Sequence, residues 1–296
     1  MRSQDILSRM DEAVNIINRI NDIISMNVQQ LERLCFPITL RCNLRCKLCS
    51  EHSPYYEKPY HPSYNELTAQ IDALFGLVEH IEKFDITGGE PILHNDLPRV
   101  IKYLHEIYRS KIGKLRITTN GTTILPKGFV EAAVLWGNDF HMIVDNYSVS
   151  VKSKIVGELL SAADISYELR DYSNTLHCDG WVDYGDLTQK HDYDNAKLLF
   201  MKCSVPKLGF FTCIVNGRIF PCAKARLLYE NGIIDVSVDA FDPRISIDVK
   251  KKLLNNLFSD SVVEVCKYCN GLCDDSPRFM PAEQMSKDEY ERKKDE

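Results

Sequence analysis

Along residues 1–34 the apolar side chains Leu7, Met10, Val14, Ile17, Ile20, Ile24, Val28 and Leu31 are separated mostly by threes and fours, the spacing of one face of an amphipathic helix. After this the pattern changes. Short apolar runs at 36–41, 84–87, 114–119, 139–144 and 166–170 predict strands, and the intervening stretches 63–82, 97–108, 127–135 and 152–162 predict helices. Such alternation argues for parallel strands joined by right-handed crossovers. A sixth strand is expected near 180–184. The runs 210–215 and 218–221 flank Asn216-Gly217, a hairpin signal, and 280–296 is charge-rich with few large apolar groups, which predicts a solvated helix or frayed tail.

At 296 residues the chain suits one large domain, or a domain with a smaller companion. The net charge of −6 offers no attraction to nucleic acid or to an anionic membrane surface. There is no apolar run long enough to span a bilayer, and Met1-Arg2-Ser3-Gln4-Asp5 lacks the layout of a signal peptide, so a cytoplasmic protein is expected. Eleven cysteines without an export signal point to metal ligation rather than disulfides.

Chemistry concentrates in Thr39-Leu40-Arg41-Cys42-Asn43-Leu44-Arg45-Cys46-Lys47-Leu48-Cys49. Three thiols at this spacing suit an iron–sulfur cluster, or a zinc ion whose fourth ligand comes from afar. The next predicted strand ends in Gly88-Gly89-Glu90, where glycines admit close approach of a ligand to the backbone and the carboxylate can accept from an ammonium group. The cysteine loop, Gly88 to Glu90, Asn120 and Asp145 all follow predicted strands, where α/β barrels carry their sites.

Together CxxxCxxC and the Gly-Gly-Glu run resemble the radical S-adenosylmethionine (SAM) superfamily. The resemblance implies a partial (β/α)6 barrel in which Cys42, Cys46 and Cys49 hold a [4Fe-4S] cluster, SAM chelates the remaining iron, and Gly88, Gly89 and Glu90 hold its amino group. Leu48 departs from the aromatic residue frequent before the third cysteine, leaving its backbone to meet the adenine. Thr119-Asn120-Gly121-Thr122 is similar to a superfamily signature, Asp145 stands where relatives meet the SAM ribose, and Arg170 is placed to meet a carboxylate of SAM or substrate.

A second cysteine system comprises Cys203, Cys213, Cys222, Cys266, Cys269 and Cys273. It resembles the twitch and SPASM auxiliary-cluster domains of the superfamily, here a hairpin plus helix, with Cys203, Cys222, Cys266 and Cys269 as ligands of a second [4Fe-4S] cluster. Cys273 or Cys213 are alternatives for one place, and zinc is the alternative metal. The expected organisation is an amino-terminal helix (1–34), the barrel (35–200), the auxiliary domain (201–275) and a charged tail (276–296). The implied activity is reductive cleavage of SAM and hydrogen-atom abstraction from a small polar substrate such as a sugar or cyclitol, giving oxidation or epimerisation. Cys178, outside both ligand sets, is the candidate hydrogen-atom donor, and His177, Asp179 and Trp181 beside it are candidate substrate contacts. A peptide substrate and a non-catalytic metal-binding protein are the competing readings. A flavodoxin or ferredoxin is the expected electron donor.

Overall fold

The computed structural model describes residues 30–172, 180–207, 212–257 and 260–292. β1 (Gln30–Thr39) opens an alternation with α1 (Tyr64–Leu77), β2 (His80–Gly88), α2 (Leu97–Tyr108), β3 (Ile112–Thr119), α3 (Phe129–Val134), β4 (Phe140–Asn146), α4 (Ser153–Ala162) and β5 (Tyr167–Asp171). These strands are parallel in the order β5-β4-β3-β2-β1, with Ile86 standing between Phe36 and Ile117. The architecture is the expected open α/β barrel. Ser63 and Glu66 form a reciprocal capping box at the start of α1. That helix ends at Leu77 rather than 82, because residues from His80 onward pair with β1.

Alternation across each strand divides the side chains into two sets. Leu34, Phe36, Ile38, Phe84, Ile86, Leu115, Ile117, Met142 and Val144 join one core with Leu67, Ile71, Leu74, Val100, Ile101 and Leu104 of α1 and α2. The opposite parity carries Arg33, Cys35, Thr87, Thr118, Asp145 and Arg170, which line a cavity. A parallel sheet packed on both faces reads as continuous apolar runs. Here one parity is polar, so the inside of the barrel is a chamber rather than a second core. Asp85, buried in β2, is held by Arg33 on β1 and by Arg116 on β3, whose Nε and Nη2 lie 2.5 and 2.9 Å from its oxygens.

Three sequence expectations change. The strand starts at Gln30, so the last five residues assigned to the amino-terminal helix belong to the sheet; residues 1–29 lie outside the described part. Residues 180–184 form no strand, since Trp181 makes only an isolated bridge to Phe279. After α5 (Tyr193–Lys202), the sixth parallel strand is instead β6 (Thr212–Val215), which pairs with the free edge of β1. β7 (Arg218–Phe220) and β8 (Val238–Asp239) extend the same sheet antiparallel, with α6 (Ala223–Glu230) between them and α7 (Ile247–Asn256) and α8 (Val263–Cys266) after them. The second cysteine region therefore shares the barrel's sheet. The third change is at the carboxyl end, where residues 281–285 are not a free tail but lie against the cysteine loop, with Ala282 and Met285 buried. Among the described residues no helix is long and apolar enough to cross a membrane.

The β6–β7 turn places Asn216 at φ 51° and Gly217 at φ 74°, the double left-handed geometry of a tight hairpin. A Cβ on Gly217 would stand 2.0 Å from the Phe241 ring. Gly217→Ala should therefore cost about 1–3 kcal/mol in denaturant unfolding; unchanged stability would show that the turn relaxes without penalty.

Candidate functional site

The site is built on a backbone junction between the ends of β1 and β2. Gly89 N–H donates to Thr39 O at 2.7 Å and Glu90 N–H to Arg41 O at 2.8 Å. A Cβ on Gly88, whose φ is 134°, would stand 2.0 Å from Thr39 O, and one on Gly89 would stand 2.3 Å from Arg41 O. The expectation that these glycines admit a ligand is corrected in part: they line the cavity, but what they admit most closely is the chain's own cysteine loop.

Glu90 is fully buried by this junction. Its Oε1 accepts from Thr119 Oγ1 at 2.8 Å and Ile92 N–H at 3.1 Å, and Oε2 accepts from Asn120 N–H at 2.7 Å. Burial pushes its carboxyl up to about 7 against the lowering effect of these three donors, with Asp145 adding to the rise. Asn120 in turn reaches the loop, with Nδ2 3.0 Å from Asn43 Oδ1 and 3.8 Å from Cys42 Sγ. Its Oδ1 accepts from Thr122 N–H, a local turn that aims the amide. Asp145, buried at the end of β4, accepts from the Tyr147 hydroxyl at 2.9 Å. Tyr147 stacks on Tyr172 and meets the Trp181 ring edge-on.

A cavity of about 470 Å³ is lined by Cys42, Cys46 and Cys49, by Glu90, Asn120, Asp145, Arg170 and Trp181, and also by Cys203, Cys222, Cys266 and Cys269. The two thiol sets, far apart in sequence, face one chamber. Burial raises Cys42 and Cys46 to about 12, Cys222 to about 11 and Cys269 to about 12, so metal-free thiols here are neutral. Within the second set, burial raises the Cys266 thiol most, and Cys222, Cys269, Cys203 and Cys273 are all close enough to raise it further. Among the alternatives, Cys273 is not part of the lining; Cys213 is, but on β6 opposite Cys35. Leu48 does not line the cavity, and Leu44 does. Among the described residues no three His, Cys, Asp or Glu side chains are drawn together around a single-ion site. His177, Cys178 and Asp179 lie outside the described residues.

Thr119 and Tyr147 were not anticipated as partners of Glu90 and Asp145, although both neighbour the residues that were. The basic groups Arg33 and Lys224 were also missed, because their places in the chamber wall depend on sheet parity and on a distant loop: Lys224 Nζ donates to Gly185 O at 3.0 Å.

Residues 36–158 match the Radical SAM superfamily. GTP 3',8-cyclase of Campylobacter jejuni is 41% identical over 96 residues, covering 31% of this chain and 28% of that protein. The enzyme of the same name from Nautilia profundicola is 34% identical over 99 residues, covering 31% and 29%. The chain thus spans less than a third of the length of these curated relatives. Among solved structures, BtrN in complex with AdoMet and 2-DOIA superposes with a TM-score of 0.52 at 17% identity, covering 86% of this chain and 98% of that one. The structure of anSMEcpe with bound AdoMet gives 0.50 at 14% identity, covering 89% and 94%. Both likenesses are of fold. The likeness to the radical SAM superfamily covers residues 36–158, less than half of the chain.

The buried carboxyl gives the metal-free protein a pH signature. Because Glu90 titrates near 7 when folded and near 4.5 when unfolded, the folded state holds a proton that the unfolded state has lost between those values, and stability falls as pH rises through this window. Thermal unfolding at about pH 5 and about pH 8 should show wild type losing stability relative to Glu90→Gln; parallel behaviour would place the carboxyl's titration elsewhere.

Proposed function

We propose that the chain is an oxidising radical SAM enzyme acting on a small polar substrate held in the chamber shared by its two thiol sets. The observation that carries this is the cavity itself, lined by Cys42, Cys46, Cys49 and Glu90 together with Cys203, Cys222, Cys266 and Cys269. The first three thiolates would hold a [4Fe-4S] cluster, Glu90 and Asn120 would hold the methionine end of SAM, and the second set would hold an auxiliary cluster. When bound, these groups supply an adenosyl radical that takes a hydrogen atom from unactivated carbon, and an acceptor for the electron left behind.

The chain's own residues do the rest. Arg33, Thr87, Thr118, Arg170 and Lys224 make part of the chamber's lining polar, which favours a polar substrate, while Trp181 and Phe200 supply apolar wall. The sheet and α5 wall the chamber and would hold the target C–H in place. Cys178 keeps its place as the candidate hydrogen-atom donor of the epimerase alternative.

Anaerobic reconstitution should give about eight irons per chain, and replacing Cys42, Cys46 and Cys49 by Ala should leave about four and abolish 5'-deoxyadenosine formation. No deoxyadenosine from reconstituted wild type would overturn the reading, and one zinc in place of the remaining four irons would make the second thiol set structural. Glu90→Gln should weaken SAM binding by roughly ten- to a hundredfold with iron content kept, the loss of a hydrogen bond to a charged group; unchanged affinity would remove Glu90 from the binding site.

A further inference from the structure

The carboxyl-terminal segment forms an antiparallel bridge with the cysteine loop, Gln284 pairing with Cys46. Lys47 N–H donates to Glu283 O at 2.9 Å and Met285 N–H to Arg45 O at 2.8 Å. Lys47 Nζ also meets the carboxylates of Glu283 and Glu289 at 2.8 and 3.1 Å, and the Arg45 guanidinium lies 4.0 Å over the Tyr290 ring. Ala282 is held at φ 54°, an uncommon conformation for a residue with a Cβ, which this docking sustains.

The bridge fixes one amide. Gln284 Oε1 accepts from Arg45 N–H at 2.7 Å, while Nε2 donates to Ala282 O at 2.7 Å and to Cys46 Sγ at 3.2 Å. Turning the amide over would set its N–H against the Arg45 N–H and its oxygen against the Ala282 carbonyl, so the network orients it with a hydrogen toward sulfur. Cys46 is buried, where such a bond is not diluted by water.

We propose that Gln284 is a positioning residue of the loop cluster: its amide hydrogen bond to Cys46 stabilises electron density on that thiolate and so makes the cluster easier to reduce. This rests on the reading that Cys46 is a cluster ligand. Hydrogen bonds to ligating sulfur are among the features that set cluster potentials, and the reduced cluster, carrying the extra electron, gains more from the donor than the oxidised one.

The test is a redox titration of the reconstituted holoprotein, following the paramagnetic signal that changes on adding SAM and so belongs to the loop cluster. Gln284→Leu removes donor and acceptor. Gln284→Glu keeps an acceptor for Arg45 N–H but has no N–H to give when ionised, which separates the electrostatic role from that of a strap. Both should disfavour reduction about tenfold, a shift of about 59 mV to more negative potential for one electron. An unmoved potential in Gln284→Glu with iron retained would overturn the inference. As a measurement independent of any variant's folding, wild type grown with amide-labelled glutamine should show coupling of that nitrogen to the loop cluster's spin, and its absence would overturn the inference equally. A wild type without a SAM-responsive cluster would overturn the ligand assignment itself, and this inference with it.

Discussion

The close approach of the Gly88-Gly89 backbone to the residues leading into the cysteine loop is the constraint on which the site depends. With Thr39 O and Arg41 O as close as they are, no side chain larger than hydrogen fits at either glycine. That approach draws Glu90 under the loop, and Thr119 and Asn120 at the end of β3 then complete its hydrogen bonds. A carboxyl buried without donors would be costly. Three donors make the position tenable, yet burial still dominates its proton affinity.

The carboxyl-terminal half is tied to the same loop from two further directions. Arg226 on α6, wholly buried, donates through Nη1 to Glu51 Oε2 and through Nη2 to Glu51 O, both at 2.8 Å, just beyond Cys49. Arg226 also lies 3.7 Å from Glu230, so its buried charge is shared between two carboxylates. Gln284 holds the middle of the loop through its neutral amide and the backbone bridge beside it. The placement of β6 on the edge of β1 sets Cys213 opposite Cys35, and Cys213, Pro221 and Cys222 line the chamber. The shared chamber is the consequence of these ties.

Local signals made much of this legible in the sequence. The strand and helix alternation, the thiol spacing and Asn216-Gly217 each reflect physics confined to a few neighbouring residues; β3 to β5 and the hairpin turn stand where they were expected, and β1 and β2 overlap their expected strands but start earlier. What was not legible depends on long-range pairing. The strand at Gln30–Leu34 carries the same three- and four-residue spacing as the helix predicted to end there, and only its partner His80–Phe84 decides the matter. The sixth strand was sought after β5, whereas the sheet is completed at its other edge. Nothing in a charge-rich tail marks Gln284, because its role is set by the bridge to Cys46, 238 positions earlier.

The most direct test is anomalous diffraction at the iron edge from crystals of the reconstituted protein with SAM. Two iron sites are expected on one chamber, one at Cys42, Cys46 and Cys49 with SAM reaching Glu90, the other at Cys203, Cys222, Cys266 and Cys269. A single iron site, or two sites opening on separate cavities, would contradict the shared chamber on which the proposed oxidation rests.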